Sequence, residues 1–193
     1  MIERICRDGL GLRPAGEAMR EHKIVRLTLH HTAVKLGENA NAPGRLRAHQ
    51  RYHQDSAGWA DIAYHLGIDK RGNLYELRDT RFAGDTFTEY DPSGHFLIVA
   101  EGDYNTEMPS DVQLEGIARS FAWAAAAFGA DVASISGHRD HAGTSCPGEI
   151  LYGALPDLRA RAADLAAGDG VQMRTICGDE ATGRVADIEA GRS

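Results

Sequence analysis

The chain has 193 residues, 42% of them apolar, which is enough for one domain with its own core and too few for a second of full size. Twenty-eight acidic against 21 basic side chains leave a formal charge of -7, so there is no global positive field to hold nucleic acid or an anionic membrane. No stretch approaches the roughly 18 apolar residues that span a bilayer, and Met1 to Asp8 has no signal-type apolar core, which predicts synthesis in the cytoplasm without a signal peptide.

In chain order, Ile24 to His30 is a β-branched run of strand length, and it delivers His30-His31-Thr32-Ala33 from a strand end. Lys35 to Pro43, with Gly37, Asn39 and Asn41, reads as a loop. Pro43 then opens a helix on which Leu46, His49, Gln50 and His53 recur at helical spacing. Asp69 to Asn73, a polar cluster holding Gly72, predicts a hairpin between Asp61 to Ile68 and Leu74 to Leu77. The apolar run Phe96 to Ala100, bounded by Gly94 and Gly102, fits a central strand covered on both faces.

A long helix follows, capped by Ser110 and stopped at Gly129, with Leu114, Ile117, Phe121 and Phe128 as its buried stripe. Val132 to Ser136 reads as a short strand that delivers His138 into a loop, and Leu155 to Ala167 as an amphipathic helix. Elements alternate in type, which gives an α/β class, a single domain with a mixed central β-sheet flanked by helices. Residues 1–22 are expected to form an N-terminal extension, 23–168 the domain, and 169–193 a loosely packed tail, because apolar periodicity fades after Gly170.

The chemistry sits in two strings about a hundred residues apart, His30-His31 and Gly137-His138-Arg139-Asp140 followed by Thr144-Ser145-Cys146-Pro147-Gly148. Two imidazoles and a thiolate suit a zinc ion with a fourth position left open for water, the arrangement of catalytic rather than structural zinc. His30 and His31 point to opposite faces of an extended segment, so only one of them reaches a common metal. For His22, His49, His53, His65, His95 and His141 the expectation is a hydrogen-bonded core position. Three cysteines, Cys6, Cys146 and Cys177, are too few and too scattered for a disulfide framework, and Cys6 and Cys177 pair only if the protein is exported.

Five strings in this order, the strand ending His-His-Thr-Ala, the helix ending Tyr52-His53, Trp59-Ala60-Asp61-Ile62-Ala63-Tyr64-His65, Gly72-Asn73-Leu74-Tyr75-Glu76, and Gly-His-Arg-Asp with Thr-x-Cys-Pro-Gly, give the chain a specific resemblance. From about Val25 to Leu158 it resembles the zinc-dependent N-acetylmuramoyl-L-alanine amidases that include phage amidase endolysins and the peptidoglycan recognition proteins. The resemblance implies that His30, His138 and Cys146 hold Zn2+, that Tyr64 directs its hydroxyl at the reacting centre, and that Thr144 stands where relatives carry lysine or threonine. It also implies hydrolysis of the amide between N-acetylmuramic acid and L-alanine.

Val99 stands where cytosolic recycling amidases place a catalytic glutamate. Glu101, two residues on and so on the same strand face, is the candidate base if the strand reaches the metal. Trp59 and Tyr90 are candidate sugar platforms as well as packing residues, and Arg139-Asp140 is expected to orient the histidine loop. The implied partner is peptidoglycan or a muropeptide, bound by a monomer with no nucleic acid and no membrane. The site of action is the cell wall, reached by holin-type release, or the cytoplasm. A recognition module that binds muropeptides without cutting them, and a cytosolic amidase for muropeptide fragments, are the competing readings.

Overall fold

A computed structural model describes residues 1–192. Seven strands, β1 (Ile2–Ile5), β2 (Arg26–His31), β3 (Leu66–Ile68), β4 (Leu74–Glu76), β5 (His95–Ala100), β6 (Ile135–Gly137) and β7 (Met173–Ile176), form one sheet in the order β6-β2-β5-β3-β4-β1-β7. Every pairing is parallel except β3 with β4, so the predicted mixed α/β sheet is observed. The antiparallel pair is the predicted hairpin. Its turn is drawn around the buried Asp69 carboxylate, which accepts from the Arg71 and Asn73 backbone N–H groups, while Gly72 supplies the left-handed residue at φ +78°.

All six residues of β5 are buried, as its unbroken apolar run predicts for a strand with parallel neighbours and both faces covered. On one face Leu27, Leu29, Ile68, Phe96 and Ile98 meet α3 (Asp111–Phe128) and α5 (Leu155–Ala167). The Ser110 hydroxyl accepts from Gln113 N–H at the start of α3, and Gly129 ends the helix in the left-handed conformation. On the other face Val99, Tyr75 and Leu77 meet Leu46 of α2 (Ala42–Asp55) and the short α1 (Arg7–Leu10).

Two expectations are corrected. Residues 132–134 form a 3-10 turn, and the strand is only Ile135–Gly137, because the Asp131 side chain accepts from Ala133 N–H and coils the chain there. The stretch expected to be a loose tail is structured: β7 runs parallel to β1, and α6 (Gly178–Glu189) buries Ala181, Val185 and Ile188. A four-residue strand followed by three apolar residues at helical spacing is too short a signal to register as periodicity, and both are held by the N-terminal segment they cover. At the tightest point a Cβ on Gly9 would lie 2.2 Å from the Ala181 Cβ. No described helix is long and apolar enough to cross a membrane.

Candidate metal centre

Strand register assembles the centre. In the β2–β6 pair Leu29 lies opposite Gly137, so the next residues, His30 and His138, leave the carboxyl ends of neighbouring parallel strands side by side with ring centroids 4.6 Å apart. The third member arrives on the loop that follows, in which Arg139 N–H donates to the Cys146 carbonyl at 2.9 Å and Gly148 N–H to the Ser145 carbonyl at 2.7 Å. A side chain at 137 would not permit this approach, since its Cβ would lie 2.8 Å from Pro147 Cδ. The ligand atoms of His30, His138 and Cys146 all lie within 4.8 Å of one another.

Their geometry fits zinc. Bonds of about 2.3 Å to sulfur and about 2.0 Å to nitrogen at a tetrahedral angle set those two atoms about 3.5 Å apart. His30 Nδ1 and Cys146 Sγ are 3.6 Å apart. Thr88 Oγ1 hydrogen-bonds His138 Nε2 at 2.8 Å, leaving Nδ1 as the free ring nitrogen, and the buried His30 Nε2 has no hydrogen-bond partner among the described residues. Burial lowers His138 to about 4 and His30 well below the usual histidine range, so both rings are neutral and ready to donate a lone pair. Burial also pushes the Cys146 thiol up to about 12, and a cation is what would favour its thiolate.

His31 turns to the opposite face, where its Nδ1 accepts from Tyr104 N–H at 3.2 Å, as alternation along a strand requires. Tyr64 has its ring 5.2 Å from that of His30, and its hydroxyl makes no hydrogen bond to a described residue. Burial, with Cys146 second, raises its pKa above the usual tyrosine value, which keeps it a proton donor. Thr144 accepts from Cys146 N–H at 3.2 Å and retains its own hydroxyl proton. All three line a cavity of about 560 Å³ together with the cluster.

Arg139 and Asp140 behave as predicted. Arg139 donates to the Ser145 carbonyl and pairs with Glu149, while Asp140 accepts from Gly137 N–H and Tyr152 O–H. Trp59 lines the cavity, packed 4.3 Å from Phe87, whereas Tyr90 packs on His138 and His141 outside it. Glu101 is the correction. It is fully buried, is absent from the cavity wall, and its nearest ionisable nitrogen is His49 Nδ1 at 4.0 Å, so the strand does not bring it to the water it was expected to deprotonate.

Sequence reasoning missed Thr88, which orients His138, and the exposed aromatic Phe87, which with Tyr52 and Trp59 forms one wall. Both missed positions lie in the loop between β4 and β5, which has no periodicity and matches no motif.

Comparison with known proteins identifies the family. The family model described as N-acetylmuramoyl-L-alanine amidase matches residues 20–149. An N-acetylmuramoyl-L-alanine amidase of Sus scrofa is 31% identical over 135 residues, which are 67% of this chain and 22% of that longer protein. Peptidoglycan-recognition protein SC2 of Drosophila simulans is 33% identical over 130 residues, covering 66% of this chain and 70% of its own length. Among solved structures, the ectodomain complex of peptidoglycan recognition proteins LCa and LCx bound to tracheal cytotoxin superposes with a TM-score of 0.72 at 26% identity, over 80% of this chain and 95% of that one. With its family model spanning more than half of its length, the chain belongs to the N-acetylmuramoyl-L-alanine amidase family.

Proposed function

We propose that the protein is a zinc-dependent hydrolase of peptidoglycan that cleaves the amide between N-acetylmuramic acid and L-alanine. The observation that carries this reading is the neutral His30, His138 and Cys146 cluster at a cavity wall, with the Tyr64 ring 5.2 Å from that of His30. Zinc held by these three residues would supply a Lewis acid for the carbonyl and lower the pKa of a water from about 16 toward about 7.

The remaining work falls to the chain. Tyr64 directs a neutral O–H at the oxygen on which negative charge develops, a contribution of about 100-fold to 1000-fold in rate. Thr144 holds the Cys146 backbone and offers its own proton to a group in the cavity. Thr88 fixes the orientation and proton position of His138, as the outer partners of metal-binding histidines do. Trp59, Phe87 and Tyr52 give the apolar wall against which a sugar or peptide face lies.

The recognition-protein relatives favour a second reading, in which the same cavity binds muropeptides without turnover. Digestion of purified sacculi by zinc-loaded and chelated protein, followed by mass spectrometry, separates the two. Metal-dependent release of stem peptides with a free L-alanine amine supports the amidase. Binding without release selects the recognition module.

A further inference from the structure

Buried carboxyl groups in this fold are otherwise well supplied with partners. Asp61 receives Arg7, Gln50 and Ile62 N–H, and Asp69 receives Asn39, Asn73 and the Tyr75 hydroxyl besides its turn. Glu101 differs. Its backbone is pinned, the N–H to the Ile68 carbonyl at 2.9 Å and the carbonyl to the Tyr104 hydroxyl at 2.6 Å, yet both side-chain oxygens are buried with no hydrogen bond to a described residue. An uncompensated polar group in a core costs free energy and calls for a use.

Among the described residues, the one ionisable nitrogen within 4.0 Å is His49 Nδ1. Burial raises the Glu101 acid to about 8, Arg45 opposing and Asp69 adding to the rise, and burial lowers His49 to about 4, with Arg45 acting the same way. At neutral pH one group therefore carries a proton to donate and the other a lone pair to accept it. The His49 ring also lines the cavity from α2, and it makes no hydrogen bond to any described residue.

We propose that Glu101 is a positioning residue whose protonated carboxyl donates to His49 Nδ1, and that His49 in turn presents its Nε2–H to an acyl oxygen of the peptide part of the ligand. The ligand's identity rests on the function proposed above; the Glu101 to His49 contact does not. Carbonyl and carboxylate oxygens only accept, which matches a site that only donates. The two groups are about 1 Å beyond hydrogen-bond distance, a gap that a small rotation of either side chain closes with no ligand bound.

Nitrogen-15 spectra of the His49 ring and the affinity of zinc-loaded protein for a muramyl tripeptide test both halves. The native chain is expected to show Nε2 protonated and Nδ1 bare. Glu101→Met, similar in shape but with no proton to give, mixes the two tautomers and weakens the tripeptide by about tenfold, the worth of one such hydrogen bond. Glu101→Gln, whose amide N–H replaces the acid O–H, restores both readouts. Adding Glu101→Met to His49→Phe weakens binding no further.

A native-like tautomer in Glu101→Met, failure of glutamine to rescue, or additive losses in the double variant would overturn the proposal. If the native chain binds no muramyl tripeptide, the proposed function and the ligand half fall together. The ring spectra then still decide the Glu101 to His49 contact.

Discussion

The carboxyl ends of β2 and β6 and the β1–β7 edge are built from the same parallel pairing and serve opposite ends. At the first, Leu29 opposite Gly137 leads two histidines out of the sheet into a cavity, where a neutral, under-bonded donor set is exposed to ligand. At the second, Ile5 opposite Ile176 leads into α1 and α6, whose apolar faces close on one another. Strand pairing brings chain segments together; the residue after the strand decides whether the result is a site or a seal.

That contrast predicts a double dissociation. Cys146→Ser is expected to lose zinc and hydrolysis together while the fold remains, because a hydroxyl is a poor substitute for a thiolate and the loop is held by backbone bonds. Metal analysis with an activity assay reads this, and full zinc stoichiometry in the serine variant would refute the ligand set. Tyr64→Phe sharpens the comparison within the cavity. Zinc stays, and the rate falls about 100-fold to 1000-fold.

The edge should respond the other way. Ile188→Ala in α6 removes a fully buried side chain and is expected to cost about 2–5 kcal/mol in denaturant unfolding, with zinc content intact. A cost under about 0.5 kcal/mol, the usual scale for exposed positions, would mean that α6 is not a working part of the core.

The effect that depends on pH belongs to Glu101, between the two regions. Its acid is raised from 4.5 to about 8 by burial, so the folded state binds more protons than the unfolded state between those values. The stability this contributes is whole below pH 4.5 and is lost as pH rises to about 8. Glu101→Gln cannot ionise, so its stability relative to the native chain should climb by at most about 1.4 kcal/mol per pH unit across that window and then level off. A flat difference would mean that the carboxyl is hydrated.

Much of the centre was legible because its residues sit in short strings with their own local geometry. His30 and His31 had to diverge on an extended segment, Gly129 had to stop a helix, and the polar cluster around Gly72 had to turn a hairpin. Thr88, Phe87 and His49 were not legible as site residues. Their positions depend on where a loop or a helix face lands across the sheet, and neither hydrophobic period nor turn chemistry records that.

Sequence alone thus determined the α/β class, the family and the donor types, since each is written in local pattern and in side-chain chemistry. Only the tertiary structure decided that Met173–Ile176 completes the sheet, that Glu101 faces His49 instead of the metal cluster, and that Thr88 fixes His138. Those outcomes depend on contacts between residues about 50 to 170 positions apart, whose free energy exists only once the chain has closed on itself.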